Sequence, residues 1–224
     1  MKLGFYPKLA WTGMRSNRKL YLPYLITCIS MVAMLYIVGY LSGAEAVRHL
    51  PGGQFIQESL GLGVWIIALF AGLFLVYSSS FLMRRRKKEF GLYNILGMGK
   101  GHLGMVVFWE TVMTAVISIS GGLVAGIMLS KLSELCIVNI VGGEVDYSLT
   151  ISGRSVITAC IVFAVIFLVI MVKSLWQIRR TNAINLLKSE NVGEKLPRLH
   201  WFWGTLGAVV LGAAYYLALS IEDP

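Results

Sequence analysis

Residues 60–88 read LGLGVWIIALFAGLFLVYSSSFLMRRRKK, an apolar run of 24 residues closed by five consecutive basic ones, Arg84 to Lys88. A helix rises 1.5 Å per residue, so crossing a hydrocarbon layer of ~30 Å takes about twenty apolar residues. Lipid offers no partner to a backbone N–H or C=O, and a segment of this kind therefore crosses as a helix. The basic cluster behind it is the usual stop to translocation, held against lipid headgroups.

Working outward, four more stretches have a similar character: Tyr21 to Leu41, Leu103 to Leu129, Ser155 to Val172 and Trp201 to Ile221, the fourth span being the shortest. Composition agrees with an all-α, polytopic membrane bundle of five transmembrane helices. Of the 224 residues 57% are hydrophobic and 14% charged, and the mean hydropathy is +0.73, far from a soluble globular domain. The formal charge of +9 does not point to nucleic acid, because the basic residues punctuate apolar runs and do not share one face. Cys28 and Cys160 fall inside apolar runs and Cys136 stands apart, so no disulfide framework or metal spacing is present and all three read as packing residues.

Orientation follows from charge, since lysine and arginine of short loops stay on the cytoplasmic side. With the N-terminus in the cytoplasm, seventeen of the 20 basic residues fall inside: Lys2 to Lys19, Arg84 to Lys100, and Lys173 to Arg198. Arg48, Lys131 and Arg154 fall outside, among Glu45, Glu58, Glu134, Glu144, Asp146, Glu222 and Asp223. The first apolar stretch exceeds a signal-peptide core, so it reads as a retained anchor in spite of Ala44-Glu45-Ala46. An odd number of spans places the last residues outside.

Between spans two and three lies Glu89-Phe90-Gly91-Leu92-Tyr93-Asn94-Ile95-Leu96, followed by Gly97 and Gly99. Phe90, Tyr93 and Leu96 step by three, which predicts a short amphipathic helix ended by glycine, suited to a membrane surface or to a soluble partner. Gly97 to Gly101 is not a phosphate loop, because Asn94 and Gly101 stand where the first glycine and the final hydroxyl belong. His49, His102 and His200 are dispersed, and neither paired carboxylates nor a nucleophile with its base occurs, so an enzyme is not expected. Glu110, within span three, predicts a packing or coupling role or a side chain reaching for water. Gly121, Gly122 and Gly126 in the same span predict a close helix contact. Residues 1–20 suggest an interfacial helix on the inner leaflet, and Trp176 to Lys188 another interfacial or docking segment. Residues 188–200 read as a linker loosened by Gly193 and Pro197, and residues 201–224 as the fifth span and its end.

Taken in order, the basic stop, Glu89 to Lys100, the early glutamate and the late glycine cluster resemble the FtsX-like permease domain, here over residues 21–187. Leu9-Ala10-Trp11 through Asn17 to Leu25 is similar to the opening of its bacitracin-export, peptide-resistance branch. Only about eighteen residues, Ser42 to Ser59, separate spans one and two, where other exporters of the family insert an outer domain. The resemblance implies a bacterial cell-membrane permease subunit that binds no cofactor itself. A separate cytoplasmic ATPase carrying ATP and Mg would dock on a coupling helix through Glu89, Phe90, Leu92, Tyr93 and Leu96. It further implies a peptide or its lipid complex as substrate and a membrane histidine kinase as partner. A non-transporting membrane regulator of the same family is the alternative. Family members of this branch have about ten spans, so a chain of five corresponds to the N-terminal half.

Overall fold

The computed structural model describes residues 5–48, 52–95, 97–141, 151–180 and 201–220. All regular structure among them is helical: α1 (Phe5–Ser16), α2 (Arg18–Leu41), α3 (Glu45–Arg48), α4 (Gly53–Arg85), α5 (Lys87–Ile95), α6 (Lys100–Val141), α7 (Gly153–Arg180) and α8 (Trp201–Ser220). The chain divides into a unit from Met1 to Leu187 and a second from Lys188 to Pro224.

Four helices, α2, α4, α6 and α7, are long and apolar enough to cross a membrane. The fifth expected span falls on α8, the helix of the second unit, whose described apolar run, Gly207–Tyr216, is shorter. All four long helices outrun the apolar stretches that predicted them, α2 only by the three residues Arg18 to Leu20. At 1.5 Å per residue the 33 residues of α4 and the 42 of α6 span roughly 50 and 63 Å, well beyond the hydrocarbon layer. α7 continues past Val172 to Arg180. Polar residues end an apolar run but not a helix, since outside the hydrocarbon their side chains are free to meet water.

In the first unit α2 lies at the centre, packed on α4, α6 and α7. Its Cys28, Val32 and Leu35 are buried against Ala71 and Leu75 of α4 and Phe163 of α7. α4 is peripheral: Leu62, Trp65, Leu69, Phe70 and Leu73 are all more than 60% exposed, a surface that only lipid or another apolar helix would cover. α3 is tucked under the start of α4, where Gly53 approaches the backbone of Val47 so closely that a Cβ would lie 2.3 Å from its carbonyl oxygen. Gly52 before it has φ +73°, the left-handed region that suits glycine.

α2 and α6 run parallel, because the residues in contact advance together along both. Tyr21 meets Glu110, Val32 meets Gly122, Tyr36 meets Gly126 and Tyr40 meets Glu134. Gly122 and Gly126 form the shallow strip of this contact. A Cβ on Gly122 would lie 2.4 Å from Val32 Cβ, and one on Gly126 would lie 3.0 Å from the Tyr36 ring, whereas Gly121 faces Ile29 at an ordinary 3.4 Å. At the far end the buried Tyr40 donates to the buried Glu134 Oε2 at 2.8 Å, and the Nζ of the partly buried Lys131 lies 3.1 Å from the same oxygen.

Candidate functional site

The short helix α5 hangs between the two long helices α4 and α6. Its end is set by Gly97, whose φ of +89° lets Met98 N donate back to the Tyr93 carbonyl at 3.0 Å, a Schellman closure. Its beginning is set by Arg86, which caps α4 and is only 2% exposed.

Arg86 is the centre of the site. Its Nη1 donates to Glu110 Oε2 of α6 at 2.5 Å and also to the Tyr21 hydroxyl of α2, and its Nε donates to Glu89 Oε2 of α5 at 3.1 Å. Tyr21 donates to Glu110 Oε2 at 3.0 Å. Asn17, at the junction of α1 and α2, donates to the other oxygen of Glu89 at 2.6 Å. The guanidinium lies between two rings, with its carbon 5.3 Å from the Tyr21 centroid and 5.0 Å from that of Phe90. One side chain therefore ties α2, α5 and α6 to the end of α4. α1 closes over it: a Cβ on Gly13 would lie 3.2 Å from Glu110 Oε1 and 3.3 Å from Arg86 Nη2, so any larger residue there has to push one of these charged side chains back by a few tenths of an ångström. Glu110 Oε1 itself is buried with no hydrogen-bond partner.

Arg86 was expected to be one of five equivalent cations at the lipid headgroups, and its burial in this cluster corrects that reading. The cost of desolvating a guanidinium is met by two carboxylates and by the flat, multiply donating shape of the group. Glu110 is therefore paired, and it does not reach toward water. Phe90, expected as an outward anchor, is 3% exposed and packs on Met83, Leu103, Val107 and Ile178, with Tyr93 partly buried beside it. Leu92 is 54% exposed, and Leu96 lies outside the described residues. α1 lies along α6, with Ala10 and Met14 buried, and its Tyr6 hydroxyl is 2.6 Å from His102 Nδ1. His49, His200 and residues 181–188 are outside the described residues. Cys28 is buried as expected, but Cys136 is exposed on α6 and is not a packing residue.

Among the described residues no three acidic, histidine or cysteine side chains are grouped as metal ligands. The cluster contains no nucleophile beside a base. What it can do is hold four elements in one relative position, with a charge pair whose rupture is costly.

A family model described as FtsX-like permease C-terminal matches residues 61–183, more than half of the chain and all of α5, α6 and the charged core of the site. The chain belongs to the FtsX-like permease family. As a family member with four long apolar helices it is a multi-pass integral membrane protein. It is 26% identical over 214 residues to the uncharacterized ABC transporter permease YvcS of Bacillus subtilis, covering 95% of this chain and 33% of that one. It is also 26% identical over 222 residues to the bacitracin export permease protein BceB of the same organism, covering 96% and 34%. A BceB of Halalkalibacterium halodurans is 22% identical over 213 residues, 93% of this chain and 33% of that one. The chain thus spans about a third of the length of the curated relatives it matches. Tyr21 and Asn17, which complete the arginine cluster, come from outside the FtsX-like match, and nothing in the Asn17 to Leu25 stretch marks them as partners of that cluster.

Proposed function

We propose that this chain is the N-terminal part of a permease subunit, that α5 docks a separate cytoplasmic ATPase, and that motion of that ATPase enters the membrane bundle through Arg86. The carrying observation is that α5 is fixed along one side and open on the other. Phe90, Glu89 and the preceding Arg86 anchor it into α2, α4, α6 and α7, while Leu92 stands exposed. A force on that open side acts on the spanning helices with little slack. ATP and Mg belong to the partner in this reading, and the chain is not itself an enzyme.

Likeness to proteins named as bacitracin export permeases supports export of, or protection from, cell-wall-active peptides or their lipid complexes as the task of the whole transporter. A membrane histidine kinase is the further partner of this reading. Docking predicts that Leu92→Glu leaves membrane abundance unchanged but weakens ATPase co-purification from detergent extract by about thirtyfold, the equivalent of ~2 kcal/mol for a lost apolar anchor. ATPase recovery equal to that of the unaltered chain would defeat the docking role of α5. Nucleotide-dependent protection against the peptide then separates a transporter from a regulator that binds an ATPase without moving solute.

The same reading places the N-terminus and α5 in the cytoplasm and gives five spans, with α8 as the fifth. The support is the seventeen basic residues in the segments so placed. In a background with Cys28, Cys136 and Cys160 replaced, a cysteine at Gln54 is expected to react with an impermeant maleimide added outside cells, and one at Gly99 to be protected. Gln54 is preferable to Gly52, where φ is +73° and any side chain is strained. Labelling at Gly99 with protection at Gln54 would reverse the map and remove α5 from the cytoplasm.

A further inference from the structure

We propose that the groove between α1, α2 and α6 holds one anionic phospholipid, its headgroup on Arg15 and Arg18 and one acyl chain along Leu22, Leu25 and Ile117. The groove has a volume of about 210 Å³ and its surface is almost wholly apolar. Trp11 and Met14 complete the wall from α1, and Tyr21 forms the floor. Both arginines sit on the rim and are exposed. Neither forms an ion pair among the described residues, where the nearby carboxylates of Glu89 and Glu110 are both bound to Arg86.

Two guanidinium groups with no ion pair among the described residues, above an apolar trough, match an amphiphile with a negative head and a hydrocarbon tail. A soluble anion would satisfy the arginines but has no use for the trough. A zwitterionic lipid would fill the trough but brings an ammonium group to the arginines. Trp11, half exposed beside the rim, is of the residue type that settles at the headgroup level of a bilayer. The floor matters for function, because the ring of Tyr21 lines the groove while its hydroxyl binds Arg86 and Glu110. The lipid therefore sits one side chain away from the charged cluster. This proposal does not depend on which side of the membrane α5 faces.

The test uses the full chain with Trp65, Trp109, Trp176, Trp201 and Trp203 replaced by phenylalanine, leaving Trp11 as the reporter. It is reconstituted in vesicles of phosphatidylcholine with phosphatidylglycerol, with one lipid at a time carrying brominated chains. Brominated phosphatidylglycerol is expected to quench Trp11 with a relative affinity on the order of tenfold above that of brominated phosphatidylcholine, as two basic side chains near a headgroup provide. Arg15→Gln with Arg18→Gln is expected to reduce the ratio to about one. Leu25→Phe with Ile117→Phe, which fills the trough and keeps both arginines, is expected to reduce it as well. A ratio near one in the parent, or selectivity that survives filling of the trough, would overturn the proposal, the second outcome leaving only attraction at the surface. The unaltered chain supplies an independent readout. Phosphatidylglycerol is expected to co-purify at about one per chain and to be lost with the two arginine substitutions, and its absence from the unaltered chain would also overturn the assignment.

Discussion

Replacing Arg86 with methionine while Glu110 remains is expected to cost about 3–5 kcal/mol, the loss associated with leaving one member of a buried ion pair alone. Glu110 is 4% exposed, and after the substitution its carboxylate retains one hydrogen bond, from Tyr21, with Oε1 already unpartnered. Glu89 also loses its cation but is partly exposed and keeps Asn17, so the damage is concentrated at Glu110. Thermal unfolding in detergent, followed by the monodisperse peak on size exclusion, is expected to fall on the order of 10 °C. On the other partner, Glu110→Gln is expected to be milder than Glu110→Leu. Glutamine still accepts from Arg86 and Tyr21, whereas leucine leaves both donors buried without an acceptor there, about 1–3 kcal/mol each. The double variant Arg86→Met with Glu110→Leu is expected to recover much of the loss, because an apolar pair requires no neutralisation. Equal losses for glutamine and leucine at Glu110 would place the whole effect on its charge.

Gly122→Ala is expected to destabilise the bundle by about 1–3 kcal/mol as an overpacked contact, and Gly122→Ile to prevent its assembly. The added Cβ would lie 2.4 Å from Val32 Cβ and 2.8 Å from the Ile29 carbonyl oxygen, and the latter is helix backbone that cannot rotate away. Gly121→Ala makes an informative control, because its Cβ would meet only the end of the Ile29 side chain at 3.4 Å. The same thermal measurement, with membrane abundance recorded for each variant, distinguishes the two neighbours. Indistinguishable behaviour of Gly121→Ala and Gly122→Ala would mean that α2 and α6 do not meet along this strip.

The long helices were legible because a lipid-crossing segment must be apolar over its whole length, and that constraint is local. Their true ends were not, since nothing in Ser130 to Val141 or Gly53 to Ser59 distinguishes a helix outside the hydrocarbon from a loop. Glu110 drew attention as a carboxylate inside an apolar run, yet its partner could not be chosen. Arg84, Arg85 and Arg86 are chemically identical, and only the arrival of α2 and α6 selects the third of them for burial. The periodicity of Phe90 and Tyr93 identified an apolar side of α5 but carried no information on what covers it. In the structure the chain's own Met83, Val107 and Ile178 cover Phe90, which leaves Leu92 for an external contact. Asn17 belongs to the stretch that carries the family resemblance but gave no signal of its bond to Glu89, because a single amide next to basic residues is common wherever a helix begins.

The two tyrosine–carboxylate contacts of the α2–α6 pair also set a length. Tyr21 and Tyr40 are nineteen residues apart on α2, about 28 Å along the axis, nearly the thickness of the hydrocarbon layer itself. Each contact brings a buried carboxylate and a cation, Glu110 with Arg86 and Glu134 with Lys131. A thicker bilayer would draw one of these charged ends into lipid, and a thinner one would expose the apolar stretch between them. The pair could answer either mismatch by tilting, at a fraction of a kcal/mol per Å. Two polar fastenings on a single helix pair thus set the hydrocarbon thickness that the pair spans without tilting.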